Sequence, residues 1–109
     1  MRFNVEISNQ ALLEIEQAFY WIYDRSPTGA ARWYQHITRS ILKLEQHPEQ
    51  HPLAPESRYF MTPLKQMLVG NKSHGYRVLF TIHEKTVRVH CVRRGKQQEL
   101  GSSDLPELN

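Results

Sequence analysis

Guanidinium and imidazole groups crowd one short stretch of this chain, GYRVLFTIHEKTVRVHCVRRGK from Gly75 to Lys96. An arginine holds anions well, because its planar fork of N–H donors fits a phosphate or a carboxylate. A histidine beside it can move a proton, since its ordinary pKa lies near neutrality. Whether such groups act together depends on the face of the chain they occupy. From Tyr76 to His83 the residues alternate, with Tyr76, Val78, Phe80 and Ile82 on one side and Arg77, Leu79, Thr81 and His83 on the other. That is the period of a half-buried strand. Glu84-Lys85 reads as a two-residue turn and Thr86 to about Arg93 as the second strand of a hairpin. This register sets His83 opposite Thr86, Thr81 opposite Arg88, Leu79 opposite His90 and Arg77 opposite Val92, and paired residues share a face.

On that reading Val87, Val89 and Cys91 join the apolar side. Arg77, Arg88 and His90 gather on the other side, with Arg94 if the strand continues. Arg93, Arg94 and Lys96 close the strand, and Lys72 lies in the turn before the hairpin. Arg77, Arg88, His90, Arg93, Arg94, Lys96 and Lys72 are therefore the expected anion- or target-binding set. The plainer account of Arg77 is an exposed strand arginine whose stem covers apolar sheet. For Arg93 and Arg94 it is a charged strand end that blocks edge pairing. His83 and His90 share a face but have no evident third ligand, so no metal site is expected. His47 and His51 have a zinc-like spacing but sit in a proline-rich segment without cysteine partners, and read as surface residues. Cys91 is the single cysteine. It reads as a small buried hydrophobe in a reducing compartment.

The elements that must hold this hairpin are legible upstream. Phe3 to Ile7 alternates like a short strand. Ser8 can cap a helix by accepting from a first-turn amide. Leu12, Ile15, Phe19 and Ile22 then recur at helical spacing, with Ala11 and Ala18 alongside. That helix must stop near Arg25, because Pro27 disfavours helical geometry in the residue before it. A second helix begins around Ser26 to Thr28, with Pro27 in its first turn. Its apolar stripe is Ala30, Tyr34, Ile37, Ile41 and Leu44, with Trp33 adjacent, and it ends before Pro48. So short a connection makes an antiparallel helix hairpin. Trp21, Trp33 and Tyr34 are expected to pack within it, and Tyr20 and Tyr23 to lie on its outer surface. Residues 48–65 hold four prolines and no period, the mark of a loop lying over the domain. Gln66 to Val69 gives a short strand.

The order is β-αα-βββ, an α+β domain in which two helices cover one face of a small, mainly antiparallel sheet. They are expected to cover the Val78/Phe80/Val87/Val89 face, which leaves the Arg77/Arg88/His90 face open. Residues 1–100 form one domain, and the acidic tail, 101–109, is expected to be mobile.

Composition agrees with a globular chain. Aromatic residues make up 10% of 109 residues and the net charge is +3. The charge is unevenly placed. Residues 1–56 carry five Lys/Arg against seven Asp/Glu, whereas residues 57–100 carry nine against two. A basic second half points to an anionic partner, nucleic acid or an acidic protein. No apolar run approaches the roughly 20 residues needed to cross a bilayer, and the N-terminus lacks the apolar stretch of a signal peptide. A cytoplasmic protein with no membrane partner is expected.

VEISNQALLEIEQAFYWI, ARWY in the second helix, HPLAPES in the loop, and GYRVLFTI followed by TVRVHCVRRGK together resemble the RelE/ParE superfamily of type II toxin–antitoxin toxins over residues 1 to 97. The resemblance implies one of two activities and no cofactor. RelE-like members are ribosome-dependent mRNA endonucleases. ParE-like members act on DNA gyrase without a known hydrolytic site. Both are neutralised by a small antitoxin. Arg77 matches the arginine that RelE-like nucleases place at the phosphate, and with His90 it would be the catalytic candidate of a nuclease. The rest of that machinery is missing. The paired lysines of the preceding strand are not reproduced, since Lys65 stands before it and Lys72 after. Gly95-Lys96 is followed by Gln97 where a second arginine is expected, and no tyrosine follows Tyr76. The expected protein is a ParE-like toxin that inhibits growth by binding. The alternatives are a RelE-like nuclease and a binding module of the same fold without toxicity. A homo-oligomer is possible in each case.

Overall fold

The computed structural model describes residues 2–70 and 75–95; Lys72, Lys96 and the 101–109 tail lie outside them. The elements are β1 (Asn4–Ile7), α1 (Asn9–Tyr23), α2 (Pro27–Leu42), β2 (Lys65–Val69), β3 (Tyr76–His83) and β4 (Thr86–Arg94). Short 3-10 turns at Lys43–Glu45, Pro48–Gln50 and Pro55–Tyr59 carry the chain from α2 to β2. The sheet order is β1-β4-β3-β2, with β1 parallel to β4 and the other pairs antiparallel. The α+β order β-αα-βββ expected from the sequence is the one observed.

Local chemistry explains the boundaries. Ser8 Oγ accepts from the Ala11 amide at 3.0 Å and so caps α1. Ser26 Oγ does the same for the Gly29 amide at 3.0 Å, with Pro27 in the first turn of α2. Each cap satisfies an amide that has no partner within its helix, worth about 1 kcal/mol. Helix α1 contributes Ala11 and Ile15 to the main core, and α2 contributes Ile37 and Ile41. They meet Val78, Phe80, Val87 and Val89 on the sheet. Phe80, Ile37 and Ile41 are fully buried, and each contributes about 1.5–3 kcal/mol through burial.

Two residues of the expected helix stripes are exposed. Leu12 is 50% exposed and Tyr34 is 48% exposed. Tyr34 lies where the two helices meet, and Phe19 packs edge-on against it, with ring centroids 6.0 Å apart. Trp33 packs against Tyr76 at 5.1 Å. Trp21 is expelled from the helix packing. It is 45% exposed, with the Arg25 guanidinium 3.6 Å from its ring centroid. Tyr20 and Tyr23 lie outside, as expected.

The hairpin turn is the predicted one, with His83 paired to Thr86 and Thr81 to Arg88. Farther along, the register breaks. Phe80 pairs with Val89 but Leu79 pairs with Cys91, so His90 is an extra residue in a β-bulge. An inserted residue exchanges the faces of everything beyond it. Val92 therefore joins the helix-side core, and Cys91 moves to the opposite face beside Leu79. Arg77 faces Arg93 instead of Val92, and Arg94 pairs with Tyr76.

The bulge lies where β4 loses a neighbour. Strand β1 pairs only with Thr86 to Val89. Past that point α1 takes over the exposed edge. Ser8 Oγ donates to the His90 carbonyl at 3.1 Å, and the Glu14 carboxylate accepts from the buried Val92 amide at 2.8 Å. These bonds satisfy backbone groups that would otherwise be orphaned.

Candidate functional site

The face of the sheet away from the helices is open over only half its area. The segment from Pro52 to Leu64 folds over the other half. Ala54 donates its amide to the Leu64 carbonyl at 2.8 Å, and Gln66 donates to the Pro52 carbonyl at 3.0 Å. Ala54, Leu64, Leu79 and Cys91 form a second small core beneath this strap, with Phe60 against its edge. Burial pushes the Cys91 thiol up to about 12, with Glu14 adding to the shift. The side chain is a packing residue and a poor nucleophile.

Under the strap lies Arg77. The sequence places it on an open anion-binding face, and the structure corrects that placement. Arg77 is 7% exposed and Glu56 is 0% exposed. The guanidinium grips the carboxylate bidentately. Nη1 donates to Oε2 at 3.0 Å and Nη2 to Oε1 at 2.6 Å, while Nε donates to Gln66 Oε1 at 3.3 Å. Glu56 comes from the 3-10 turn that begins at Pro55, within LAPES. This segment, which composition suggests is a stiff loop, carries the counter-ion of the most conspicuous arginine in the chain. Hydrophobic periodicity cannot reveal the pair, because loop and strand meet only in the folded state. The available signal was a lone carboxylate in a proline-rich apolar stretch.

The open half is a cleft of about 550 Å³ at the turn end of the hairpin, lined by Glu6, Thr62, Thr81, His83, Thr86, Arg88 and His90. Arg88 is half exposed, with Nη1 3.3 Å from Glu6 Oε1. Such an exposed pair holds its partners weakly, so Arg88 can exchange Glu6 for another anion. His90 is 6% exposed and its Nε2 lies 2.8 Å from Thr81 Oγ1. Burial, then the charge of Arg88, lowers its pKa from 6.5 to about 4. The imidazole is thus neutral at physiological pH and anchored to a hydroxyl.

The other expected cations are dispersed by the bulge. Arg93 turns to Glu14 of α1, with Nε 2.5 Å from Oε2. Arg94 lies on the helix side, its guanidinium 5.0 Å from the Trp21 ring centroid. Of the described members of the expected set, Arg88 and His90 share the open cleft. Glu14, Glu56, Thr62 and Thr81 are the contributors that sequence reasoning missed. Among the described residues, no group of three His, Cys, Asp or Glu side chains could hold a metal ion. No helix among them is long and apolar enough to cross a membrane.

Comparison with known proteins agrees with this architecture. No curated relative matches the chain. The fold is similar to a solved structure of the chromosomal ParDE toxin–antitoxin system from P. aeruginosa, with a TM-score of 0.64 and 17% identity over 85% of this chain and 96% of that one. It is also similar to a doubly substituted variant of the E. coli toxin RelE in its free state, with a TM-score of 0.56 and 14% identity over 88% of this chain and 86% of that one. At these identities the likeness is one of fold. The sequence profile described as the ParE toxin of the type II toxin–antitoxin system, parDE, matches residues 5–99. With that match over nearly the whole chain, the protein belongs to the ParE toxin family of type II toxin–antitoxin systems.

Proposed function

We propose that this protein arrests growth by binding its target rather than by cutting RNA, that the target is DNA gyrase, and that a cognate antitoxin neutralises it. The single observation that supports binding over cleavage is the state of Arg77. A nuclease of this fold needs a cation at the scissile phosphate and groups that handle protons. Here the matching arginine is enclosed with Glu56 under the strap. Among the described residues the remaining cleft offers one exchangeable cation, Arg88, and a histidine bonded to Thr81. That set can recognise an anionic patch but lacks a paired acid and base around a phosphate clamp. The anion-binding role passes to Arg88 with its neighbours His83 and Thr86. The cytoplasm, where gyrase works, suits a chain with one buried free thiol.

A second reading, an mRNA endonuclease, draws on the presence of His83, His90 and Arg88 in one cleft. Induced expression without an antitoxin separates the two. Arrest with DNA-damage signalling, filamentous cells and intact translated mRNA is expected. Rapid loss of translated mRNA with intact DNA would favour the nuclease. Overexpression without arrest would make the chain a non-toxic binding module. Arg88→Glu is expected to weaken toxicity about tenfold or more by reversing the exchangeable charge of the cleft. Its effect on stability should stay within about 1 kcal/mol, because the Glu6 pair is exposed. Dose-dependent growth curves beside urea denaturation check both halves.

A further inference from the structure

The outer flank of the helix hairpin is unusually apolar for a solvent-facing surface. Leu12, Leu13, Tyr20 and Tyr23 of α1 are each about half exposed, as are Tyr34 and Leu42 of α2. Within α1 the helical period puts its four on one side, and Phe19 joins them to α2, with ring centroids 5.5 Å from Tyr20, 5.9 Å from Tyr23 and 6.0 Å from Tyr34. A contiguous patch of this kind on a small domain marks an interaction site.

Charge identifies the occupant. Helix α1 contains Glu14 and Glu16 and no lysine or arginine, whereas α2 contains Arg32 and Arg39 and no aspartate or glutamate. Glu14 is turned inward to β4, which leaves Glu16 as the exposed acid of α1. A surface with one acidic and one basic helix side by side is its own complement. We propose that this flank is a two-fold interface between two copies of this chain, with α1 of each copy lying over α2 of the other.

The alternative two-fold arrangement, α1 over α1, would set like charges against each other. The favoured one also fits in height. Phe19 lies opposite Tyr34 in the antiparallel hairpin, which puts Glu16 level with Ile37. With the symmetry axis along the helices, heights are preserved between copies. Glu16 is then two residues, about 3 Å of helical rise, from the level of the partner's Arg39. Tyr20 falls within about one residue's rise of the partner's Arg32, where a guanidinium can cover its ring. The apolar side chains supply the burial, and the charges select the register. Nothing in this arrangement depends on the toxin's target.

Sedimentation velocity on the purified full chain tests it. At micromolar concentration the expected mass is twice the 12.9 kDa of one chain. Glu16→Arg and Tyr20→Glu, both at exposed positions, are each expected to yield folded monomers by circular dichroism. The exchange Glu16→Arg with Arg39→Glu is expected to restore the dimer. A monomeric parent chain at that concentration would overturn the proposal, as would a dimer that persists through both single substitutions.

Discussion

Glu56→Ala is expected to cost about 3–5 kcal/mol of folding stability, because it leaves the Arg77 guanidinium buried without a counter-charge. Arg77→Ala should also destabilise, because it removes the bidentate partner of the fully buried Glu56. Either loss takes a large share of the roughly 5–15 kcal/mol that holds a typical domain together. The midpoint of thermal unfolding should fall by more than about 10 °C. The pair as a whole is a different matter. Desolvating two charges nearly offsets their attraction, so an apolar replacement of similar volume can match it. The double variant Glu56→Leu/Arg77→Met is therefore expected to recover most of the loss. Urea denaturation of the three variants and the parent closes the cycle. A single-variant cost below about 1 kcal/mol would mean that the strap opens freely and that Arg77 reaches solvent after all.

The second large effect concerns acid. The unfolded chain protonates His90 near 6.5, whereas the folded chain resists until about 4. The folded pKa is the lower one, so the stabilising contribution is complete above the unfolded value. It is lost as pH falls from 6.5 toward 4, because the unfolded state then binds the extra proton. The full shift corresponds to about 3 kcal/mol. Carboxylates also titrate in this range, so the useful quantity is a difference between proteins. His90→Gln can still bond Thr81 but cannot be protonated. Its stability relative to the parent is expected to improve by about 2–3 kcal/mol between pH 7 and 4.5. Parallel stability curves across that range would show that His90 is not held neutral by the fold.

These two residues also mark where sequence reading stopped. The capping serines, the proline between the helices and the alternation of β3 each act through neighbours in the chain, so element order and strand limits were legible. The first half of the hairpin register followed from the two-residue turn. The bulge at His90 did not, because its cause is nonlocal. The pairing of β1 with β4 ends at Val89, and Ser8, the cap of α1, and Glu14 within α1 take over the edge beyond it. One extra residue then exchanged the faces of Cys91, Val92, Arg93 and Arg94, which dispersed an expected cluster of cations. Arg77 was placed on the correct face, but its cover was not foreseen. The strap brings Glu56 to it across 21 residues of sequence, and no periodicity spans that distance.

The consequence for function is a division of labour on one face of the sheet. The strap-covered half stabilises, through a buried ion pair and a small apolar core. The open half, with Arg88 and the polar groups around it, is the face we propose for recognition. The central claim is that this toxin binds gyrase and does not cut RNA. A supercoiling assay with purified gyrase and the purified chain tests it most directly, run beside a translation reaction in which ribosome-bound mRNA is followed by primer extension. The account predicts loss of supercoiling, accumulation of gyrase-cleaved DNA and uncut mRNA. Unimpaired supercoiling together with cleavage of ribosome-bound mRNA would contradict it.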